Sequence, residues 1–485
     1  MSIASVMFAS PVRDGNTTLV GSGISTQRYA RVAPKRLEIL MTSNPYLKGN
    51  FGPVQDETTA YDLPVKGQIP VELEGRLLRI GPNPVVPPGE RYHWFSGNGL
   101  VHGVKLRDGK AEWYRSRLVK DDEVCEVKGL PPTPGPRFSE ISRGVANTNV
   151  IAHGGKTLAI VEAGGNPVEL TYELETIARS DFQGTLPGPF SAHPKRDPET
   201  GELHVTGYFF GWDFLQYIVV GSDGQVRKTV DIPVAGRPMI HDCAITENFF
   251  IVFDLPVLFT PEMIEGGAGV PYQWHEDYGA RVGLLPRDGG AADITWHEVD
   301  TCFVFHPMNA YEDPSGHVVL DVVRHSKLFA SEQLEVDAPT LTLDRWVVDP
   351  KGGPVKESRL DDRPQEFPRH DERLVGKPYR YGYCGSSVDG GLFGGLLKHD
   401  LDQGTTQYRD EGSRRFFQEP VFVPRSKDAD EDDGWILSYV HDDDRDAADV
   451  VILHSQDFLG EPVATIELPT RVPFGFHGNW APDNA

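Results

Sequence analysis

Basic residues are scarce in this chain, cysteines are few, and no apolar run is long. Lys and Arg number 47 against 71 Asp and Glu, giving a formal net charge of −24. Such a surplus repels a phosphate backbone, so no nucleic-acid partner is expected. The four cysteines, Cys125, Cys243, Cys302 and Cys384, are scattered without CxxC spacing. They supply neither a zinc ribbon nor a disulfide framework and read as reduced, buried thiols of an intracellular, cytoplasmic protein. No stretch reaches the roughly 20 apolar residues of a spanning helix. The N-terminus has no apolar run followed by a cleavage site, which argues against a secretory signal. Walker, nucleophile-elbow and kinase motifs are missing, and GNGLVHG (Gly97 to Gly103) has the wrong spacing for a nucleotide loop and reads as a turn.

What the chain does have is turns. It holds 51 Gly and 39 Pro, with 39% hydrophobic residues and a mean hydropathy of −0.36. From Gly67 onward, turn signals separate alternating or β-branched runs, as expected for successive hairpins. Examples are VHGVKL-RDGK-AEWYRSRLV, NVIA-HGGK-TLAIVE, QYIVV-GSDGQ-VRKTVDIP, VGLLP-RDGG-AADITWHEV, RWVV-DPKGG-PVKESRL and LKHDL-DQGT-TQYRD. Only short helices are expected, around Pro261 to Gly266 and Ser326 to Leu334. Regular four-stranded units make a β-propeller, and roughly 420 residues at about 60 per blade would give seven blades. A series of sandwiches is the alternative. Residues 1–40 are Ser/Thr/Arg-rich with only Asp14 and Glu38 as acids. They read as a disordered extension or an early start, with Met41 opening a single propeller domain over 41–485, in preference to a transit-like segment. The acidic run DADEDD, Asp428 to Asp433, reads as a solvated loop.

Four histidines, His193, His241, His306 and His477, stand in four separate strand-like segments. Neutral imidazole ligates iron, copper and zinc. None of the four belongs to a local HxxxH pair, so a shared metal must be assembled by the fold, as on a propeller axis. Singly, each reads as a surface or satisfied core histidine. Glu162 in LAIVEAGGNP, Glu366 in RPQEFPRH and Glu419 in FFQEPVFVP lie in apolar contexts where an unpaired charge is costly. They suit carboxylates that orient ligating imidazoles, or strand-end partners of Arg or Lys.

The segments ANTN (Ala146 to Asn149), AHPKRDPETGEL, MIHDCAITENF, FHPMNAYED, QEFPRH, VGKPYRYGY, EPVFVPR and GFHGNW together resemble the carotenoid cleavage oxygenase family. That group also holds stilbene-cleaving oxygenases and a retinal isomerohydrolase, and the likeness runs from about Asn44 to Trp480. It implies an all-β, seven-bladed propeller, its active face capped by short helices and loops, with Fe(II) on the axis held by His193, His241, His306 and His477. It implies further that Glu162, Glu366 and Glu419 support His241, His306 and His477 in that order, leaving His193 without a carboxylate. Thr148 matches the small side chain beside one open coordination position. The implied reaction is cleavage of a C=C bond of a carotenoid or apocarotenoid by O2 into two carbonyl products, with no side chain acting as acid or base.

Stilbene-cleaving relatives carry a lysine before the first of these glutamates; this chain has Val161 there, which suits a hydrocarbon better than a phenol. Stilbene cleavage, isomerohydrolase chemistry and a non-catalytic propeller are the rival readings. Aromatic residues available for an apolar tunnel are Trp94, Phe95, Tyr208 to Phe214, Phe303, Phe305, Phe474 and Phe476. The stretch LPVLFTPEMI has two readings. It is a buried loop, or a patch of Leu255, Val257, Leu258 and Phe259 that dips into a bilayer surface to collect a hydrophobic polyene.

Overall fold

Hairpin turns dictate the architecture. At Asp108-Gly109 both residues have positive φ (48° and 67°), and at Gly154-Gly155 likewise (55° and 72°), the geometry that lets a two-residue turn follow the strand twist. All six hairpins quoted above join neighbouring antiparallel strands. The computed structural model describes residues 44–483 apart from 90–91, 140–142, 266–268, 331–339 and 388–392. The reading of residues 1–40 as an extension lies outside the described residues.

Seven sheets form a seven-bladed β-propeller, with one two-stranded hairpin, Val257–Phe259 with Tyr272–Trp274, appended. The innermost strands in ring order are Asn149–His153, Lys195–Arg196, Cys243–Ile245, Phe303–Glu312, Gln365–His370, Val421–Pro424 and Gly478–Pro482. The ring is closed twice. Gly478–Pro482 pairs with Gly75–Pro82, placing Leu77 opposite Trp480, and Val65–Gly67 pairs with Ala464–Glu467 at the outer edge of the preceding blade. Closure removes the free inner edge that an open array would expose.

The inner strand Phe303–Glu312 and the middle strand Val318–His325 are buried almost throughout, whereas the outer strand Val226–Pro233 alternates half-buried and exposed positions over most of its length. Each inter-blade layer is filled by large side chains: Trp346, Tyr217 and Phe250 are fully enclosed, and the rings of the last two stack at 3.9 Å. Burying one such side chain contributes about 1.5–3 kcal/mol, so the blades stay rigid while their ends present chemistry.

Several local expectations need correction. Leu255, Val257, Leu258 and Phe259 are all buried, at 1%, 0%, 8% and 7% exposure. The hairpin folds their side chains inward, so they form no membrane patch. The run DADEDD is not simply a solvated loop: Asp432 is buried, ion-paired with buried Lys398 and accepting from Tyr383 Oη at 2.6 Å. GNGLVHG is mostly strand, since Gly99–Arg107 begins inside it. Pro261–Glu265 is helical as expected, but Ser326 to Ala330 is not, and the remainder of that window lies outside the described residues. The helix Asp122–Lys128 was not anticipated. Asp121 caps its N-terminus through Val124 N–H, and Gly129 ends it at φ 65°.

Candidate metal centre

Each of the seven inner strands begins at the axis with one residue of interest. In ring order these are Thr148, His193, His241, His306, Glu366, Glu419 and His477, each inside or within two residues of its inner strand. Two irregularities aim them. The pairing of Phe303–Glu312 with its neighbour slips around His306, and that of Gln365–His370 slips between Glu366 and Arg369, with Phe367 at φ 54°. Bulges of this kind re-aim side chains at a functional end of a sheet.

The fold gathers the four histidines so that one nitrogen from each lies within 4.8 Å of all the others. Three of the rings are buried and His241 is partly exposed. His241 Nε2 and His306 Nε2 are 3.3 Å apart. His306 Nδ1 donates to Glu366 Oε2 at 2.6 Å, and His477 Nδ1 donates to Glu419 Oε1 at 2.9 Å. Those bonds fix the tautomer, leaving each Nε2 as a lone pair for the centre. The carboxylates are themselves held. Glu366 accepts from His325 Nε2 at 2.8 Å and from Phe367 N–H at 2.5 Å. Glu419 accepts from Arg369 Nη1 at 3.2 Å and from Gly478 N–H at 2.7 Å.

Electrostatics follow from this. Burial would raise both carboxyls, but His306 and His325 hold Glu366 well below its usual range. His477 and Arg369 hold Glu419 at about 2. Burial and neighbouring imidazoles push His193 and His241 far below the usual histidine value, and burial brings His477 to about 4 despite Glu419. Burial also opposes charge on His306, yet Glu366 raises it overall. The site is thus a set of clustered imidazoles with their charge balance supplied from behind.

Glu162 does not take the partner that the family resemblance implies. Its Oε1 accepts from Ala192 N–H at 2.9 Å and its Oε2 from Tyr208 Oη at 3.0 Å, and its nearest histidine atom is His193 Nε2 at 3.5 Å. The loop turns back here, with Ala163 at φ 50° and Gly164 at φ 106°, which carries Glu162 toward the blade of His193. Burial raises its pKa to about 8. His241 is instead seated edge-on against Phe305, ring centres 4.7 Å apart. Val161 is half-buried beside Glu162. Thr148 is one strand from His477, whose N–H it accepts at 3.1 Å, and its hydroxyl donates to Asn147 Oδ1 at 2.9 Å.

An aromatic wall faces the centre. Phe367 stacks on His306 at 5.6 Å and on Phe393 at 5.7 Å, Phe393 on Phe474 at 4.4 Å, and Trp94 meets Phe476 at 4.4 Å. Of the aromatics singled out in the sequence, Trp94, Phe95, Phe305, Phe474 and Phe476 join this wall or its rim, while Phe303 is enclosed core behind Phe305. Tyr208, Phe209, Phe210, Trp212 and Phe214 line a small cleft with Tyr272. Phe367, inside the QEFPRH motif, was the readable signal that was missed; Phe393 and His325 carried none.

These residues fit a divalent transition metal. Four neutral imidazoles are a good donor set for iron, copper or zinc. Buried His193 Nε2 makes no hydrogen bond, an arrangement that is costly unless a ligand takes its lone pair. Residues 51–482 match the family described as Retinal pigment epithelial membrane protein. A carotenoid cleavage oxygenase of Mycobacterium tuberculosis is 42% identical, covering 91% of this chain and 98% of its own length. A carotenoid 9,10(9′,10′)-cleavage dioxygenase of Crocus sativus is 35% identical over 89% and 88% of the two chains. Among solved structures, the lignostilbene dioxygenase of Pseudomonas brassicacearum superposes with a TM-score of 0.83 at 29% identity, covering 91% and 99%. The apocarotenoid oxygenase of Synechocystis, also solved in a cobalt-substituted form, superposes with a TM-score of 0.79 at 30% identity, covering 89% and 97%. With this axis, this histidine set and these relatives, the chain belongs to the carotenoid cleavage oxygenase family.

Proposed function

We propose that this chain is a non-haem Fe(II) dioxygenase that cleaves a C=C bond of a carotenoid or apocarotenoid. The observation that carries the reading is the convergence of His193, His241, His306 and His477 beneath an aromatic wall, two of them backed by buried carboxylates. The four histidines would hold the iron, with Glu366 and Glu419 supplying negative charge behind it and Glu162 standing near His193. Bound there, iron supplies one-electron reactivity toward O2.

The chain's own residues do the rest by placement. Phe305, Phe367, Trp94 and Phe476 offer flat apolar surface to a polyene and keep water from the reacting bond. Thr148, at the rim of the histidine cluster, limits how closely a ligand approaches on its side. The bookkeeping closes with O2 alone: one double bond breaks, each of its carbons takes one oxygen atom, and two carbonyl products leave. This balance transfers no proton, so it asks no side chain to act as acid or base.

A stilbene-cleaving activity is the second reading, favoured by the superposition on the lignostilbene dioxygenase. Val161 speaks for the polyene, because an apolar side chain gives a phenolic hydroxyl no partner. We also assign the protein to the cytoplasm, supported by four free, buried cysteines, with transient contact at a membrane surface, supported only by the lipid nature of the substrate. The test is product analysis by liquid chromatography and mass spectrometry after Fe(II) loading, in air and under argon, with carotenoids, apocarotenals and hydroxystilbenes. Air-dependent carbonyl fragments from polyenes are expected. Fragments from hydroxystilbenes alone would overturn the substrate class, and equal turnover under argon would overturn the dioxygenase.

A further inference from the structure

We infer that Asp242, held by Lys195, is the carboxylate that positions His193, and that this buried pair belongs to the metal-binding apparatus. The inference rests on the four-histidine reading above. It gives His193 the partner that the family resemblance withholds.

Asp242 Oδ2 lies 3.9 Å from His193 Nδ1, the same ring position through which His306 and His477 reach their glutamates. Closing that gap to a hydrogen bond takes about 1 Å, within the broad χ2 range of a histidine ring. Asp242 is 2% exposed. Lys195 Nζ stands 2.9 Å from both of its oxygens, and Cys243 N–H donates to Oδ1 at 2.6 Å.

The arrangement repeats a pattern. Glu366 is held by His325 and Phe367 N–H, Glu419 by Arg369 and Gly478 N–H, and Asp242 by Lys195 and Cys243 N–H. In each case one charged or imidazole side chain and one backbone N–H hold a carboxylate beside a histidine of the cluster, hydrogen-bonded to it for Glu366 and Glu419 and 3.9 Å away for Asp242. Ion pairs so deeply buried are weak contributors to stability compared with apolar packing, so their presence at this end of the axis calls for another role. Orientation of a ligating ring is the role that their geometry offers. Local sequence makes the triangle possible. His193 and Lys195 are two apart in extended chain and share a side, while Asp242, next to His241, faces the opposite way, toward the neighbouring blade.

The test is titration of the metal-free protein with Co(II), reading affinity by chelator competition and the visible ligand-field band. It compares wild type, Asp242→Asn, Lys195→Met and, as control, Asp432→Asn in the buried pair with Lys398. Expected are a loss of affinity of up to about 10-fold, no larger than that of His193→Ala, and a shifted band in Asp242→Asn, with a smaller change of the same sign in Lys195→Met. Asp432→Asn should lower Tm and leave affinity and band unchanged. Wild-type affinity and band in Asp242→Asn would overturn the inference. If that variant does not fold, wild-type values in Lys195→Met would do so. A wild-type protein that takes up no Co(II) would instead bring down the four-histidine reading itself, a distinguishable result.

Discussion

The two halves of the histidine cluster are built differently. His306 and His477 are each clamped by a carboxylate at 2.6 and 2.9 Å, and each carboxylate is anchored in turn. His193 and His241 have no such bond: the first faces Glu162 at 3.5 Å and Asp242 at 3.9 Å, the second rests on Phe305. One half is therefore organised before any metal arrives, and the other is free to adjust. Preorganised donors set affinity and adaptable donors set geometry, because a ring already held in place loses little freedom on ligation.

The largest test of that contrast removes the rings. His306→Ala and His477→Ala should each lower metal affinity by at least about 100-fold, and His193→Ala by roughly a tenth as much. Anaerobic Fe(II) titration reads this, and equal losses would break the comparison. Next come the supports. Glu366→Gln and Glu419→Gln should cost about 10- to 100-fold in affinity, against less than about threefold for Glu162→Gln.

In the metal-free protein the halves should also titrate in opposite senses. Glu419 has a folded pKa of about 2, below its ordinary 4.5, so its stabilisation is present above pH 4.5 and lost as pH falls through about 2. Glu162, at about 8, is raised above 4.5, so its contribution is full below pH 4.5 and lost as pH rises through about 8. Glu162→Gln should therefore flatten the decline in stability between pH 5 and 8, by on the order of 1 kcal/mol given its partial exposure. Denaturant unfolding at pH 5 and pH 8 measures it, and an unchanged slope would contradict the assignment. The smallest effect is expected from Val161→Lys, a gain of about a few-fold in kcat/KM for a hydroxystilbene relative to an apocarotenal.

Much of this was legible in the chain because its parts are local. Turn pairs such as Asp108-Gly109 report hairpins directly, and hairpins of even spacing imply blades. His193, His241, His306 and His477 could be named because each stands at the start of a recognisable strand motif. What could not be read is how neighbouring blades meet. The partner of Glu162 depends on a loop reversal at Ala163 and Gly164, and the roles of Lys195, Asp242 and Arg369 depend on which blade end they face, although all three lie inside quoted motifs. The apolar run Leu255 to Phe259 misled for the same reason. Composition marks a stretch as hydrophobic, but only the appended hairpin decides that it turns inward. The helix Asp122–Lys128 was readable from its Asp cap, acidic first turn and terminal Gly, and was hidden by the dominance of strand signals around it.

The measurement that tests the central claim most directly is metal stoichiometry after anaerobic Fe(II) loading and desalting, for wild type and for His241→Ala with His306→Ala combined. The account predicts one iron per chain in wild type and essentially none in the double variant, with both proteins folded by circular dichroism. Iron retained at wild-type level by the folded double variant would contradict it.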